Sequence, residues 1–195
     1  MSRRAERSRR TGETDVTVAV DVDGTGTARV DTGVGFFDHM LTLLGRHGLM
    51  DLTVRAQGDL ETGSHHTVED VGITLGLALD DALGDRAGIT RYGAALIPMD
   101  ECLVQAAVDV SGRPFCAVDV PLPFGTVGGF ETDLLEEFLR ALAVNARMTL
   151  HVRLLAGANP HHVIECAFKA VARAVDQACR VDPRVTGVPS TKGSL

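Results

Sequence analysis

The sequence of 195 residues has no tryptophan and one tyrosine, and aromatic residues make up only 4% of it. It also lacks an uninterrupted apolar run of about 18 residues, which a membrane-spanning helix needs. No apolar stretch follows the N-terminal arginines, as a secretory signal requires. We therefore expect a cytoplasmic protein that has no membrane partner.

Positive charge is scarce too, with 19 lysines and arginines against 26 aspartates and glutamates and a net charge of −7. Nucleic acid is a poor partner for such a chain because its phosphates attract basic surfaces. The four cysteines form no C-x-x-C pair, which predicts buried thiols rather than disulfides or a thiolate metal site. Hydrophobic residues at 45% and charged residues at 23% are typical of a globular protein with a real core.

The one basic cluster lies at the N-terminus, where residues 3–10 include five arginines. Such a run could contact a polyanion. A solvated, frayed chain end is the commoner fate of a terminal segment of this kind. We therefore predict a disordered basic tail over residues 1–10.

Two halves of the remaining chain follow the same pattern. Apolar residues alternate over 16–22, which predicts a strand, and Asp-Gly-Thr-Gly at 23–26 predicts a hairpin turn. Segments with strand and helix periodicity then follow in matching order in residues 11–93 and 94–195. Such a repeat predicts the architecture. We expect an α+β fold with an internal duplication: two βαβ-type halves related by a pseudo-twofold, with sheets packed against helices in one compact unit.

The strongest motif of the repeat is His-His-x-x-Glu, which begins at His65 and again at His161. Residues four apart share a helix face, so His65 and Glu69 can bind one metal ion, whereas His66 points about 100° away. In the simplest arrangement the halves cross, and each ion binds the first His and the Glu of one motif with the second His of the other. The two predicted sets are His65, Glu69 and His162, and His161, Glu165 and His66.

The repeat also predicts a fourth ligand for each ion. His39 lies on the first helix of the first half, and Glu137 follows it by 98 residues at the equivalent point of the second half. By symmetry His39 joins the set of His161, and Glu137 joins the set of His65. Nitrogen and oxygen ligands, four for each ion with room for two more, suit octahedral Mn²⁺ better than tetrahedral Zn²⁺.

Seven short motifs together resemble the imidazoleglycerol-phosphate dehydratases of histidine biosynthesis over nearly the whole chain. The motifs are Gly35–Leu41, Gly58–Leu60, Ser64–Asp70, Pro98–Glu101, Ser111–Pro114, His161–Ala170 and Pro189–Gly193. The resemblance implies a hydro-lyase that dehydrates D-erythro-imidazole-glycerol phosphate to imidazole acetol phosphate. It implies two Mn²⁺ ions that bind the imidazole ring, no organic cofactor, and a homo-oligomer of about two dozen chains with active sites at subunit interfaces.

The resemblance also implies roles for individual residues. Glu13 is implied as a substrate contact and acid–base group, and Glu69 and Glu165 as catalytic carboxylates within the metal site. Many members carry His in place of Glu137, so one ion of this chain would have two carboxylate ligands. The implied metal ligands are His39, His65, His66, Glu69, His161, His162 and Glu165, and the repeat adds Glu137 as the eighth predicted ligand.

A phosphorylated substrate requires cations and hydrogen-bond donors. The resemblance implies that the C-terminal tail becomes ordered over the ligand, although by itself such a tail would pass as mobile. The implied phosphate-binding residues are Arg91, Arg113, Ser190, Thr191 and Lys192.

Two other functions remain open. In the first, the paired histidines join subunits through metal and catalyse nothing; in the second, the chain is a dinuclear metallohydrolase whose metal-bound water attacks an ester or amide. The arginines and the Ser-Thr-Lys tail favour a phosphorylated ligand over a peptide. Asp100 and Glu101 have no predicted role, because neighbouring residues at a strand end face opposite ways.

Overall fold

The computed structural model describes residues 3–195. The elements of the first half are β1 (Arg4–Arg10), β2 (Thr14–Asp21), β3 (Ala28–Asp31), α1 (Gly35–Gly48), β4 (Asp51–Gly58), a 3-10 turn (Leu60–Thr62) and α2 (His65–Leu83). The elements of the second half are β5 (Tyr92–Met99), β6 (Cys102–Asp109), β7 (Phe115–Asp119), β8 (Thr126–Val127), β9 (Phe130–Glu131), α3 (Leu134–Asn145), β10 (Thr149–Ala156) and α4 (Pro160–Cys179).

The two four-stranded sheets have the same topology. Their strand orders are β1-β2-β4-β3 and β5-β6-β10-β7. In each sheet the first three strands pair antiparallel with one another, and the fourth strand pairs parallel with the third. The second half also contains the β8–β9 pair, which has no counterpart among the described residues of the first half. The predicted α+β duplication is therefore confirmed.

The predicted hairpin at residues 23–26 is wrong, because β4 lies between β2 and β3 in the sheet. The segment is instead a crossing connection whose conformation Asp51 fixes. The Asp51 carboxylate accepts hydrogen bonds from the backbone N–H groups of Thr25 and Thr27 at 2.8 and 2.9 Å. Turn residues alone do not tell which strand the chain pairs with next.

Two pairs of packed helices join the two halves. Each helix packs on the sheet of its own half, while α1 packs on α4 and α2 packs on α3. Glycines permit the close α2–α3 contact: a Cβ atom on Gly76 would lie 2.7 Å from the carbonyl oxygen of Leu142. The inward side chains Val16, Val18 and Val54 are fully buried beneath the helices. The core thus lies between each sheet and its helices and continues across the helix–helix contacts.

The predicted disordered tail is wrong for residues 4–10, which form the edge strand β1, and its residues 1 and 2 lie outside the described part. β1 pairs with β2 over its whole length, from Arg4 opposite Asp21 to Arg10 opposite Asp15. Its arginines bind acidic partners, among them Asp70 on α2 and Asp81. The duplication contained this signal, since β1 is the counterpart of β5. The predicted boundary after residue 93 also falls inside β5.

We expect Arg9→Ala to destabilise the protein by about 1–3 kcal/mol, because it leaves a buried carboxylate short of a donor. Arg9 Nη1 donates to Asp70, whose side chain is 7% exposed and also accepts from Thr14. The control is Arg10→Ala. Arg10 is 81% exposed and lies 3.6 Å from an exposed carboxylate, so its loss should cost no more than about 0.5 kcal/mol. Urea unfolding at equal protein and metal concentrations measures both; equal costs would contradict the structural role of β1.

Three of the four cysteines are buried, Cys116 is partly buried, and all four thiols are free, as predicted. No helix within residues 3–195 is both long enough and apolar enough to cross a membrane.

Candidate functional site

Both His-His-x-x-Glu motifs open a helix. In α4, the Asn159 side chain accepts a hydrogen bond from the backbone N–H of His161 at 3.0 Å, and Pro160 occupies the first turn. Both features are favourable at a helix N-terminus. The rings of His161 and His162 are 6.0 Å apart at an interplanar angle of 86°. The corresponding pair at the start of α2, His65 and His66, has the same separation at 90°. In both halves the adjacent rings therefore diverge.

Three of the predicted ligands meet where α1 packs on α4. Glu165 Oε2 lies 3.5 Å from His39 Nε2 and 3.3 Å from His161 Nε2. Phe36 packs edge-on against the His161 ring with centroids 5.0 Å apart. The two imidazoles are about half exposed, whereas the Glu165 side chain is 12% exposed. Two imidazole nitrogens thus lie against the same carboxylate oxygen.

Lys169 completes this cluster and was missed by the sequence reasoning. Its ammonium Nζ lies 2.7 Å from Glu165 Oε1, so the lysine occupies one carboxylate oxygen and leaves Oε2 facing the histidines. Burial raises the pKa of Glu165, but the Lys169 hydrogen bond and charge outweigh it, and the pKa is lowered. The carboxylate is therefore ionised at neutral pH. The i, i+4 spacing of the two residues was the available signal.

His66 lies between two carboxylates. Its Nδ1 is 3.1 Å from Asp59, which directly follows β4, and its Nε2 is 3.7 Å from Glu13, which directly precedes β2. The hydrogen bond with Asp59 raises the pKa of His66, and the same bond lowers the pKa of Asp59. The second histidine of the first motif thus presents Nδ1 to one acid and Nε2 to another.

His162 has one close acidic partner, Glu101. Its Nδ1 lies 2.9 Å from Glu101 Oε2. This bond is the main reason that the pKa of Glu101 falls to about 2, and it raises the pKa of His162. One ligand atom from each of Asp100, Glu101 and His162 lies within 4.8 Å of the others, which makes the three a possible metal-binding group. The sequence pattern predicts no role for Asp100 or Glu101.

Within residues 3–195 of one chain, the crossed metal sets are not joined by hydrogen bonds or ion pairs. In the part of the chain that the structure describes, no hydrogen bond or ion pair joins His65 or Glu69 to the α4 motif. His66 likewise contacts acids of its own half. Glu137 is half-buried on α3, beside a surface cavity formed with the β7–α3 connection. Among residues 3–195, the predicted ligands that contact one another across two helices are His39, His161 and Glu165.

Two of the predicted phosphate-binding residues, Arg91 and Arg113, meet at Asp109. Arg91 donates to both carboxylate oxygens of Asp109 at 2.7 and 3.2 Å, and the Arg113 guanidinium lies 3.8 Å from the same group. Arg91 Nη1 also donates to the carbonyl oxygen of Pro189 at 2.8 Å, which fixes the start of the tail. The tail then runs to Gly112, where an added Cβ would lie 2.4 Å from the Leu195 carbonyl carbon. Ser190, Thr191 and Lys192 lie between these two contacts.

The metal-type residues and the arginines lie at opposite ends of the second half. The backbone N–H of Arg91 donates to the carbonyl of Ala178 near the end of α4, whereas His161 begins that helix. At about 1.5 Å of rise per residue, these ends are about 25 Å apart. Arg91 and Glu101 also flank the two ends of β5, whose eight residues span about 26 Å. One small phosphorylated molecule cannot reach both groups in one chain.

Comparison with known proteins gives the family. A family model described as imidazoleglycerol-phosphate dehydratase matches residues 32–175. A protein of that name from Desulforamulus reducens is 58% identical over the full length of both chains, and another from Symbiobacterium thermophilum is 60% identical over 96% of this chain and 90% of its own.

Two solved structures support the same assignment. The crystal structure of the Staphylococcus aureus N315 dehydratase is 40% identical and has a TM-score of 0.83, covering 92% of this chain and 99% of its own. The structure of IGPD from Pyrococcus furiosus in complex with (S)-C348 is 39% identical and has a TM-score of 0.84, covering 97% of this chain and all of its own. The chain therefore belongs to the imidazoleglycerol-phosphate dehydratase family, the hydro-lyases that dehydrate imidazoleglycerol phosphate in histidine biosynthesis.

Proposed function

We propose that this chain dehydrates imidazole glycerol phosphate to imidazole acetol phosphate at a site that holds two Mn²⁺ ions. The observation that carries the proposal is the convergence of His39 and His161 on one oxygen of Glu165, at 3.5 and 3.3 Å. Imidazole nitrogen and carboxylate oxygen are donors that suit Mn²⁺. The proposed ligands are His39, His65, His66, Glu69, Glu137, His161, His162 and Glu165.

Bound Mn²⁺ would act as a Lewis acid toward the substrate's imidazole nitrogens and favour the anionic ring. The chain's own residues then have three tasks. Glu69 and Glu165 balance the positive charge of the centre, and Lys169 keeps Glu165 ionised and oriented. Glu13 moves the proton: its carboxylate is exposed and 3.7 Å from His66 Nε2, within reach of a molecule bound on that side of the ring.

The phosphate group is bound at the Asp109 cluster in this proposal. Arg91 is anchored by Asp109 and binds the carbonyl of Pro189, while the Arg113 side chain is 66% exposed and can reach an anion in solvent. Ser190, Thr191 and Lys192 add hydroxyl, backbone and ammonium donors from the tail, which suits recognition of a phosphate. Arg91 thus anchors the tail, and both arginines supply positive charge for the phosphate group.

We further propose that each active site combines residues of several subunits in a homo-oligomer of about two dozen chains, as the family resemblance implies. The support is the distance of about 25 Å along α4 between the His161 end and the Arg91 end of one chain. A small substrate that contacts both metal and arginines must then take them from different copies. The α2 and α4 motifs, which have no bond to each other within residues 3–195, would meet in the same way.

The test is an assay with imidazole glycerol phosphate that compares metal-stripped protein with the same protein given Mn²⁺ back. We expect the ketone product to form at least about 100-fold faster in the second sample, since removal of a Lewis acid raises the barrier by several kcal/mol. Size measurement shows whether the assembly persists without metal. Equal rates in both samples would contradict the metal-dependent mechanism, and no product in either, with the assembly intact, would favour a purely structural role of the metal.

A further inference from the structure

The two halves hold the second histidine of each motif with carboxylates from different places. Glu13 and Glu101 are counterparts, since each directly precedes the second strand of its sheet. Asp59 and Gly157 are also counterparts, since each directly follows the third strand of the sheet order. Asp59 contacts His66, whereas Gly157 has no side chain to contact His162. The duplicated site is therefore asymmetric in the residues behind its histidines.

Both carboxylate oxygens of Glu101 accept hydrogen bonds from the protein. Oε2 accepts from His162 Nδ1 at 2.9 Å, and Oε1 accepts from the Asn159 N–H at 3.3 Å and from the Cys102 thiol at 3.4 Å. Glu101 sits in a two-residue turn whose first residue, Asp100, has a φ of +48°. An ionised carboxylate can only accept a hydrogen bond, so the ring proton of neutral His162 resides on Nδ1. The lone pair of Nε2 is then available to bind a metal ion.

Asp59 does the same for His66. Both of its oxygens lie 3.1 Å from His66 Nδ1, and the Thr62 hydroxyl donates to Oδ2 at 3.1 Å. Glu13, by contrast, faces the other nitrogen, Nε2, at 3.7 Å. Its side chain is 57% exposed and makes no hydrogen bond within residues 3–195. In the first half, Asp59 thus orients His66, and the side chain of Glu13 makes no hydrogen bond among the described residues.

The second half cannot adopt the arrangement of the first. Gly157 has a φ of +118°, and a Cβ there would lie 2.3 Å from Cys102 Sγ. A carboxylate at this position is therefore excluded on both conformational and steric grounds. The acid that hydrogen-bonds His162 Nδ1 in this half is instead the turn glutamate, Glu101.

We infer that Asp59 and Glu101 are positioning residues that fix His66 and His162 with Nε2 toward the metal, and that this division of labour frees Glu13 alone to transfer protons. The inference rests on the proposed function, since it assumes that the histidines bind Mn²⁺. A carboxylate that hydrogen-bonds the second nitrogen of a ligand histidine typically raises metal affinity by about 10- to 100-fold. We expect an effect in that range here.

Glu101→Gln is the sharpest variant. Its amide oxygen can still accept from Asn159, but its NH₂ group would then donate to His162 Nδ1 and move the imidazole proton to Nε2. We expect one of the two Mn²⁺ ions per chain to bind about 10- to 100-fold more weakly, with the other unchanged. Asp59→Asn should weaken Mn²⁺ binding in the same way through His66. The readout is free Mn²⁺, followed by electron paramagnetic resonance as the full-length protein is titrated.

Asp100→Asn distinguishes positioning from direct metal binding, because Asp100 lies within 4.8 Å of Glu101 and His162 but is not hydrogen-bonded to Nδ1 among residues 3–195. We expect wild-type affinity for it, and also for Glu13→Gln. If Asp100→Asn weakens binding as much as Glu101→Gln, the acids are direct ligands or act by charge alone, and the inference is wrong. Wild-type affinity in Glu101→Gln would also overturn it, while leaving the proposed function intact. Failure of the wild-type protein to bind Mn²⁺ would instead contradict the proposed function.

Thermal unfolding of metal-free wild-type protein and Glu101→Gln separates positioning from folding. We expect nearly equal midpoints, because the Asn159 contact persists in the variant. Glu101→Ala, which loses the Asn159 contact as well, should lower the midpoint further and bind Mn²⁺ no better than Glu101→Gln. Restoration of wild-type affinity in Glu101→Ala would contradict the positioning role.

Discussion

Replacement of Glu13 by Gln is expected to reduce dehydratase turnover by about 10²- to 10⁴-fold, the range typical for loss of a general acid–base group. Glu13 is exposed, and its closest charged neighbour is His66 Nε2 at 3.7 Å, so the substitution should disturb neither the fold nor the metal ligands. We therefore expect the loss in kcat, with a smaller change in KM. Steady-state kinetics in saturating Mn²⁺ measure both.

Glu6→Gln provides the control for this experiment. Glu6 lies on β1 of the same hairpin and its side chain is exposed, so the variant loses the same charge without approaching His66. It should turn over at the wild-type rate. A Glu13→Gln enzyme that retains more than about a tenth of wild-type kcat would exclude Glu13 as the main proton-transfer group.

Mixing two inactive variants is expected to restore activity. His161→Ala removes a residue at the start of α4, and Arg91→Ala removes one that contacts the end of the same helix. Each variant alone should lose at least about 100-fold in kcat/KM, because each removes a charged or metal-binding contact to the substrate. If one active site takes these residues from different subunits, about a quarter of the sites in an equal random mixture contain both intact residues.

The measurement is the dehydratase rate after the two variants are co-expressed, or unfolded together and refolded. Recovery toward a quarter of the wild-type rate supports sites shared between subunits. A mixture as inactive as its components, in an assembly shown to contain both variants, would place the two residues in one chain's site. The double variant His161→Ala and Arg91→Ala mixed with wild-type chains serves as the control for random exchange.

Much of the fold followed from local patterns in the sequence. The motif beginning at His65 recurs at His161, and the spacing of apolar residues around both gave the order of strands and helices, because these periodicities depend only on backbone geometry. The prediction failed for β1. Five arginines in residues 3–10 suggested a solvated tail, yet their partners, such as Asp70, are distant in the sequence and could not be seen from the local pattern.

The candidate site likewise contains some residues that the sequence predicts and others that it does not. The pairing of His161 with Glu165 on one helix face is a consequence of i, i+4 spacing, and the repeat added His39, which lies beside them. Glu101 and Lys169 were missed. Glu101 approaches His162 only because β5 and β6 form a tight turn that ends beside α4, and a contact of this kind between separate elements leaves no periodic trace in the sequence.

Two helix starts, each with a His and a Glu on one face and a second His turned aside, thus follow from the sequence alone. Tertiary structure decided which acid lies behind each second histidine, Asp59 in one half and Glu101 in the other. It also decided that the arginine cluster lies a full helix length from His161. The physical reason is that helix geometry is set by neighbours in the chain, whereas the partner of a side chain and its distance from another site depend on how whole strands and helices pack.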